Sequence, residues 1–509
     1  MVKLTYSNLD TDKEPCNKKI NKFYKENECY LNELERVFNE DFNIPKQIIK
    51  DNIKRILVNK IENTIIGNSN NLQGKKINLY IYKTLKNFIL YYSVMVYFCL
   101  LTVFGQKKKQ VERIDILFDM HSSFINYYDL FYEKLSKYKL ALFICTPDIF
   151  SIDTLIHKVN KIFIASHSKR FLRDISYSII KKQLFRYFLY HKLSKEMGFN
   201  IVEIALILQK HIATHSTEVN GISSNIYISA SHNGYSPLKY YIYKRSFKNI
   251  ILIENGTTGS KTKLCYGDCY TYSDYYIAMG KNIDRKEFFE LNCNEIKYWG
   301  SILVDKNIHY LKDKEINEVH DILFIEELFT ILDSSGITLS LEFLSKFSNK
   351  YPMYNIIYRT RKNKRDLKDP NGYTELIKMY DKIISNSNIK LDNSDNPYKS
   401  VLKSKIILFS ASTLGKESLA MDKKILTFDF DKQSAHPLSE NDDICILIEK
   451  SYNKFEKKLL YLLENANSVH VVDFFKELKS KFINQNLNFH DEVCEIIHKE
   501  IKDITKENN

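Results

Sequence analysis

Ser404 to Met421 reads SKIILFSASTLGKESLAM. The run Ser404 to Phe409 is continuously apolar after Lys405, without the polar alternation of a half-exposed strand. That is the signature of a parallel strand buried on both faces. A loop of small and hydroxyl residues follows (Ser410, Ser412, Thr413, Gly415), then a helix with Glu417 in its first turns. A strand that ends in such a loop and enters a helix is the repeating unit of an open α/β sheet, and ligands bind at the carboxyl ends of its strands.

The same run recurs on either side of this stretch. His320 to Ile325 (HDILFI) and Asn355 to Tyr358 (NIIY) precede it, and Lys424 to Phe428 (KILTF) and Ile444 to Ile448 follow it. Further upstream lie Ile114 to Phe118, Leu140 to Cys145, Lys161 to Ala165, Ile226 to Ser229 and Asn249 to Ile253. Helical patterns separate them, as in Asp174 to Leu193 and Val202 to His215. A charged connector, Lys306 to Val319, interrupts the series. The expectation is α/β: two doubly wound, Rossmann-type domains facing a cleft, with a helical N-terminal extension. Residues 1–110 form that extension, 111–312 the first domain, and 313–509 the second with its C-terminal helices.

In the extension, Leu31 to Phe42 and Ile48 to Ile65 have helical periodicity. Asn87 to Gly105 (NFILYYSVMVYFCLLTVFG) carries no charge and is flanked by Lys83 and Lys86 on one side and Lys107 to Lys109 on the other. As a helix it is roughly 28 Å long, near the thickness of a bilayer core. Its tyrosines and lysine flanks suit a helix lying in the membrane interface. A spanning helix and a buried core helix are the other readings of the same residues.

The 509 residues exceed one hydrophobic core, and 44% of them are hydrophobic, which argues against wholesale disorder. The net charge of +13 favours anionic partners. It is spread along the chain, with short runs such as Arg361 to Arg365, and no nucleic-acid-binding motif accompanies it, so nucleic acid is not an expected partner. Nine cysteines without a Cys-x-x-Cys pair read as reduced thiols; Cys265 and Cys269 alone do not make a metal site. The polar first residues predict no signal peptide.

Three strand ends carry candidate chemistry. The loop after Phe409 can bring hydroxyls and backbone N–H groups to a pyrophosphate, leaving Glu417 to accept from ribose hydroxyls. Ser/Thr with a nearby Glu is equally a helix-capping pattern. At NIILIENGTTGS (Asn249 to Ser260), Glu254 ends a strand where it can serve as general base, and Gly256 after Asn255 permits close backbone approach; Asn-Gly is also a turn dipeptide. Arg359 and Arg361 follow the strand NIIY and suit phosphate, though an exposed basic loop fits as well. Asp119 and His121, at the end of the first strand, are the reserve candidates for base.

In their order along the chain these elements resemble the GT-B transferases of bacterial surface glycans. That group holds capsule and lipo-oligosaccharide sialyltransferases, Kdo transferases and teichoic-acid glycerophosphotransferases. The resemblance runs through Ile253-Glu254-Asn255-Gly256, then Ser273 to Gly280 (SDYYIAMG), then Tyr298-Trp299-Gly300-Ser301, and ends on Ser410 to Ala420 before Lys424 to Thr427. Glu-Asn-Gly stands where the group has two acids before Gly, and Arg359-Thr360-Arg361 stands where it has His-Pro. The resemblance implies a donor site at Ser410, Ser412, Thr413, Gly415 and Glu417, with Arg359 and Arg361 offsetting leaving-group charge. It implies Glu254 as base, no bound cofactor or metal, and a CMP-, CDP- or UDP-linked sugar as donor substrate. The expected function is glycosyl transfer to a bacterial surface glycan or lipid-linked acceptor, by a cytoplasmic protein peripheral to an anionic inner-membrane surface. A sugar-nucleotide epimerase of the same fold, or a non-catalytic scaffold of a polysaccharide-assembly complex, are the alternatives.

Overall fold

Every strand named above pairs in parallel with its neighbours in a computed structural model, and they sort into two sheets. The structure describes residues 22–67, 92, 112–120, 128–144, 159–164, 177–197, 200–219, 221–230, 236–254, 270–281, 291–311, 319–326, 334–360, 373–392, 394–410, 412–428, 430, 444–485 and 488–507.

The first sheet contains β1 (Glu112–Met120), β2 (Leu140–Ile144), β3 (Lys161–Ile164), β4 (Ile222–Ser229), β5 (Phe247–Ile253), β6 (Thr271–Ala278) and β7 (Leu291–Tyr298). Its order is β3-β2-β1-β4-β5-β6-β7. The second contains β8 (His320–Ile325), β9 (Ile356–Arg359), β10 (Lys390–Leu391), β11 (Ser404–Phe409), β12 (Lys424–Phe428) and β13 (Ile446–Leu447), in the order β10-β9-β8-β11-β12-β13. Both are doubly wound, and each reverses direction once: between β1 and β4 in the first, between β8 and β11 in the second. Those reversals are where an open α/β sheet forms its binding crevice.

Alternate side chains along each strand enter opposite cores, which is why the strands read as unbroken apolar runs. In the first sheet Leu117, Tyr227, Ile250, Leu252 and Tyr276 face one core, and Ile116, Phe118, Ile226, Ile251 and Ile277 face the other. The first core also contains Leu34, Val37 and Phe38 of the helix Glu28–Phe42 and Ile49 and Ile53 of the helix Lys46–Gly67. The N-terminal helices thus share a core with the first sheet.

The second face of that sheet is closed from the far end of the chain. Phe489, Val493 and Ile497 of the C-terminal helix Phe489–Glu507 pack with Ile116, Phe118 and Ile228. This corrects the expected division at 313–509, which left all the C-terminal helices with the second domain. The chain crosses between the lobes twice, at Trp299–Ser301 and again at Ile483–Gln485, and a returning last helix completes a GT-B-like pair of Rossmann-type domains. β6 contains most of the SDYYIAMG motif, and β7 is the strand that runs into Trp299-Gly300-Ser301. β6 carries Ser273 and Asp274 in its interior and β7 is a half-buried edge strand, so neither shows an apolar run.

Candidate active site

At the reversal of the first sheet, Asp119 is the next-to-last residue of β1 and is buried. Its Oδ2 accepts from the Ser229 hydroxyl at 3.0 Å and lies 3.9 Å from Lys239 Nζ. The Tyr128 hydroxyl donates to the Asp119 carbonyl oxygen at 3.0 Å and accepts from the Ala230 N–H at 2.9 Å, which pins the ends of β1 and β4 together. Lys239 sits in the first turn of the helix Pro237–Tyr243, where the Ser236 cap accepts its backbone N–H. Behind it, Glu218 accepts from Tyr243 at 2.8 Å and meets His215 Nδ1 at 2.9 Å. Burial opposes its charge, but His215, Lys239 and Tyr243 outweigh that and hold its carboxyl down at about 2. Lys239, Ser229 and Tyr128 were not singled out in the sequence. The Ser236-Pro237 cap, which fixes the helix start, is the one signal that places Lys239 there.

Glu254, directly after β5, is also buried. Its Oε2 accepts from the Met279 N–H at 2.6 Å, so the carboxylate joins the end of β5 to the turn after β6. The Met279 carbonyl in turn accepts from the Asn484 N–H at 2.8 Å. A Cβ on Gly280 would stand 2.6 Å from the Phe482 backbone. Glu254 therefore lies two hydrogen bonds from the second interlobe crossing. Asp274, from the SDYYIAMG motif, is a structural acceptor: Tyr240, Lys244, the Ile250 N–H and Asn294 all bond to its carboxylate.

Gly300 and Ser301 make the first crossing. Gly300 has φ +91, and a Cβ there would collide with Gln485. The Ser301 N–H donates to Gln485 Oε1 at 2.9 Å. Its hydroxyl caps the helix Ile302–Leu311 and donates to Glu417 Oε1. The Tyr398 hydroxyl donates to Glu417 Oε2 at 2.7 Å. Both oxygens are thus engaged inside the protein and the carboxylate is fully buried, which corrects the expectation that Glu417 stands free for ribose hydroxyls. Burial pushes its carboxyl up to about 7, against the pull of Ser301 and Tyr398.

Arg359 is likewise turned inward. Its guanidinium pairs with Asp392 Oδ2 at 2.5 Å and also donates to the Ser394 carbonyl and the Ser400 hydroxyl. Burial raises Asp392, yet hydrogen bonds from Ser400 and Ser394 and the guanidinium together hold it below the ordinary carboxylate range. Arg359, read from the sequence as a phosphate ligand, thus has its charge matched within the fold.

Ser410, Ser412 and Thr413 are half-buried at the carboxyl end of β11, and Ser412 caps the short helix Thr413–Glu417. Gly415 rides directly on the Phe409 ring, where a Cβ would come within 2.2 Å of it. Across the reversal, Glu326 follows β8 and accepts from the Tyr358 hydroxyl at 2.9 Å. Sequence reasoning passed over Glu326, although an acid directly after the strand HDILFI was there to be read.

His121, Asn255, Gly256, Arg361, Cys265 and Cys269 lie outside the described residues, as does 87–105 apart from Tyr92. Among the described residues no helix is long and apolar enough to cross a membrane, and no group of three or more His, Cys, Asp or Glu is placed to hold a metal ion.

No family model matches the sequence. No curated protein matches it either. Among solved structures, the chain is similar to the wall teichoic acid polymerase TagF, at 13% identity and TM-score 0.43 over 85% of this chain and 100% of that one. It is similar to UDP-GlcNAc 2-epimerase from Neisseria meningitidis bound to UDP-GlcNAc, at 13% identity and TM-score 0.43 over 76% of this chain and 100% of the other. A Thermobaculum terrenum O-GlcNAc transferase mutant follows at 10% identity and TM-score 0.35, over 80% and 71%.

Proposed function

We propose that this protein is a GT-B-type glycosyltransferase, moving a sugar from a nucleotide-activated donor to a growing bacterial surface glycan of the capsule, lipo-oligosaccharide or teichoic type. Residues 111–312 serve as the acceptor domain and 313–509, without the returned last helix, as the donor domain. The observation that carries the reading is the reversal of the second sheet. There Ser410, Ser412 and Thr413 stand half-buried at the end of β11, beside a helix drawn close to the strand by Gly415. Hydroxyls and backbone N–H groups at such a place suit a pyrophosphate.

In this reading the donor phosphates lie over Ser412, Thr413 and Gly415. Glu254 takes the proton of the acceptor hydroxyl as its oxygen attacks the anomeric carbon, the bond from that carbon to the phosphate oxygen breaks, and the nucleotide departs with the bonding pair. Arg359 is committed to Asp392, so Arg361 and the loop donors answer the leaving-group charge. Glu417 supports the donor loop from within by tying its helix to Ser301. The acceptor is a glycan or lipid-linked chain at the inner membrane face, with the protein cytoplasmic and peripheral.

The test is nucleotide release from CMP-, CDP- and UDP-linked donors, with bacterial membranes as the source of acceptor. Glu254→Gln is expected to lower turnover by about 10²- to 10⁴-fold while leaving nucleotide binding intact. Wild-type turnover in the variant would remove Glu254 from the role of base.

A further inference from the structure

The helix Tyr177–Met197 turns an unusual face to solvent. Lys182, Phe185, Phe188, Lys192 and Lys195 are all exposed, and their spacing of three or four residues sets them in one stripe along the helix. Phe185 is 67% and Phe188 65% exposed, the two rings one turn apart. Lysines stand a turn before and a turn after them. Glu196, at the far end, is the nearby acid, 3.9 Å from Lys192.

The opposite face is firmly seated. Tyr187, Tyr190 and Leu193 are in the core, and Tyr190 stacks on Phe38 at 6.2 Å. Arg186 reaches Asp41 at 3.4 Å and Glu40 at 3.5 Å on the N-terminal helix Glu28–Phe42. The stripe is therefore held on the body of the first lobe. Tyr92 packs 5.7 Å from Tyr187, which brings one residue of the uncharged stretch 87–105 to the same helix.

We propose that this stripe is the docking surface of the protein for an anionic lipid bilayer. Phe185 and Phe188 enter the boundary between headgroups and acyl chains, and Lys182, Lys192 and Lys195 meet the phosphates beside them. Exposed aromatic rings bracketed by cations, on a rigid helix, match the chemistry of such a surface: apolar burial and lipid charge act together. The inference rests on the proposed membrane-facing function and gives it a place on the molecule.

Co-sedimentation of the full chain with vesicles tests it, using phosphatidylcholine alone and phosphatidylcholine with 30% phosphatidylglycerol (roughly the range in which lysines respond to lipid charge). The intact protein is expected to bind the anionic vesicles and to leave the neutral ones in solution. Phe185→Ser with Phe188→Ser should weaken partitioning by roughly tenfold per ring. Lys182→Gln with Lys192→Gln, which leaves the apolar face untouched, should weaken it by about fivefold per charge. Melting temperatures and nucleotide-induced shifts of the variants should match those of the parent, so a failed docking surface is distinguished from a failed donor site. Undiminished vesicle binding by the phenylalanine variant overturns the proposal, as does no binding by the parent or equal binding to neutral vesicles. A change confined to the sedimentation coefficient in the absence of lipid overturns it in favour of self-association.

Discussion

Glu417 carries the most consequence for a single side chain. Its folded-state carboxyl titrates near 7, above its ordinary 4.5, so the folded protein holds a proton that the unfolded chain has released. Stability is therefore expected to fall as pH rises from about 4.5 to about 7, and Glu417→Gln removes that dependence. Denaturant unfolding should show the variant gaining on the parent across this interval, by about 3 kcal/mol at the upper end. A constant difference from pH 5 to 8 would contradict it. Arg359 gives a second expectation. Arg359→Ala leaves the half-buried Asp392 carboxylate without its counter-ion, though still hydrogen-bonded to Ser394, and should cost about 1–3 kcal/mol of stability by the same measurement. Unchanged stability with weakened nucleotide binding would return Arg359 to the phosphates. At this scale the sequence was only partly legible. Residue type and strand-end position picked out Glu254, Arg359 and Glu417, but the groups that engage them come from Met279, Asp392, Ser301 and Tyr398, and the Ser301–Glu417 bond crosses 116 residues of chain.

Elements were far more legible, because a strand buried on both faces has to be continuously apolar. β8, β11 and β12 begin and end where the apolar runs do. β6 and β7 escaped that reading, since Asp274 replaces apolar contact with four hydrogen bonds and β7 lies at an edge. The interlobe crossings depend on close backbone approach, which the sequence records only as glycine. Gly300 combines φ +91 with contact against Gln485, and Gly280 abuts the Phe482 backbone. Gly300→Ala is expected to cost about 1–3 kcal/mol through strain and overpacking, with the loss falling on the seating of the last helix. Hydrogen exchange would register it as faster exchange in Phe489–Glu507 than in β8 or β11. Equal change in both regions would mean that the crossing does not control that helix.

At the scale of the molecule, each sheet has one reversal, the place where open α/β sheets form their crevices, and the double crossing joins the lobes. The pattern of the chain conveyed the two-domain plan. It did not reveal that residues near 490–507 complete the first lobe, because an amphipathic helix states which face it buries and not which sheet it meets. The central claim is that the end of β11 receives a nucleotide, and the direct measurement is the melting temperature of the full chain against CMP, CDP, UDP and GDP. One nucleotide is expected to stabilise the fold by about 2.7 kcal/mol at a hundred times its dissociation constant, and Ser412→Val with Thr413→Val should abolish that gain. No shift with any nucleotide, or a shift that survives the double substitution, would contradict the account.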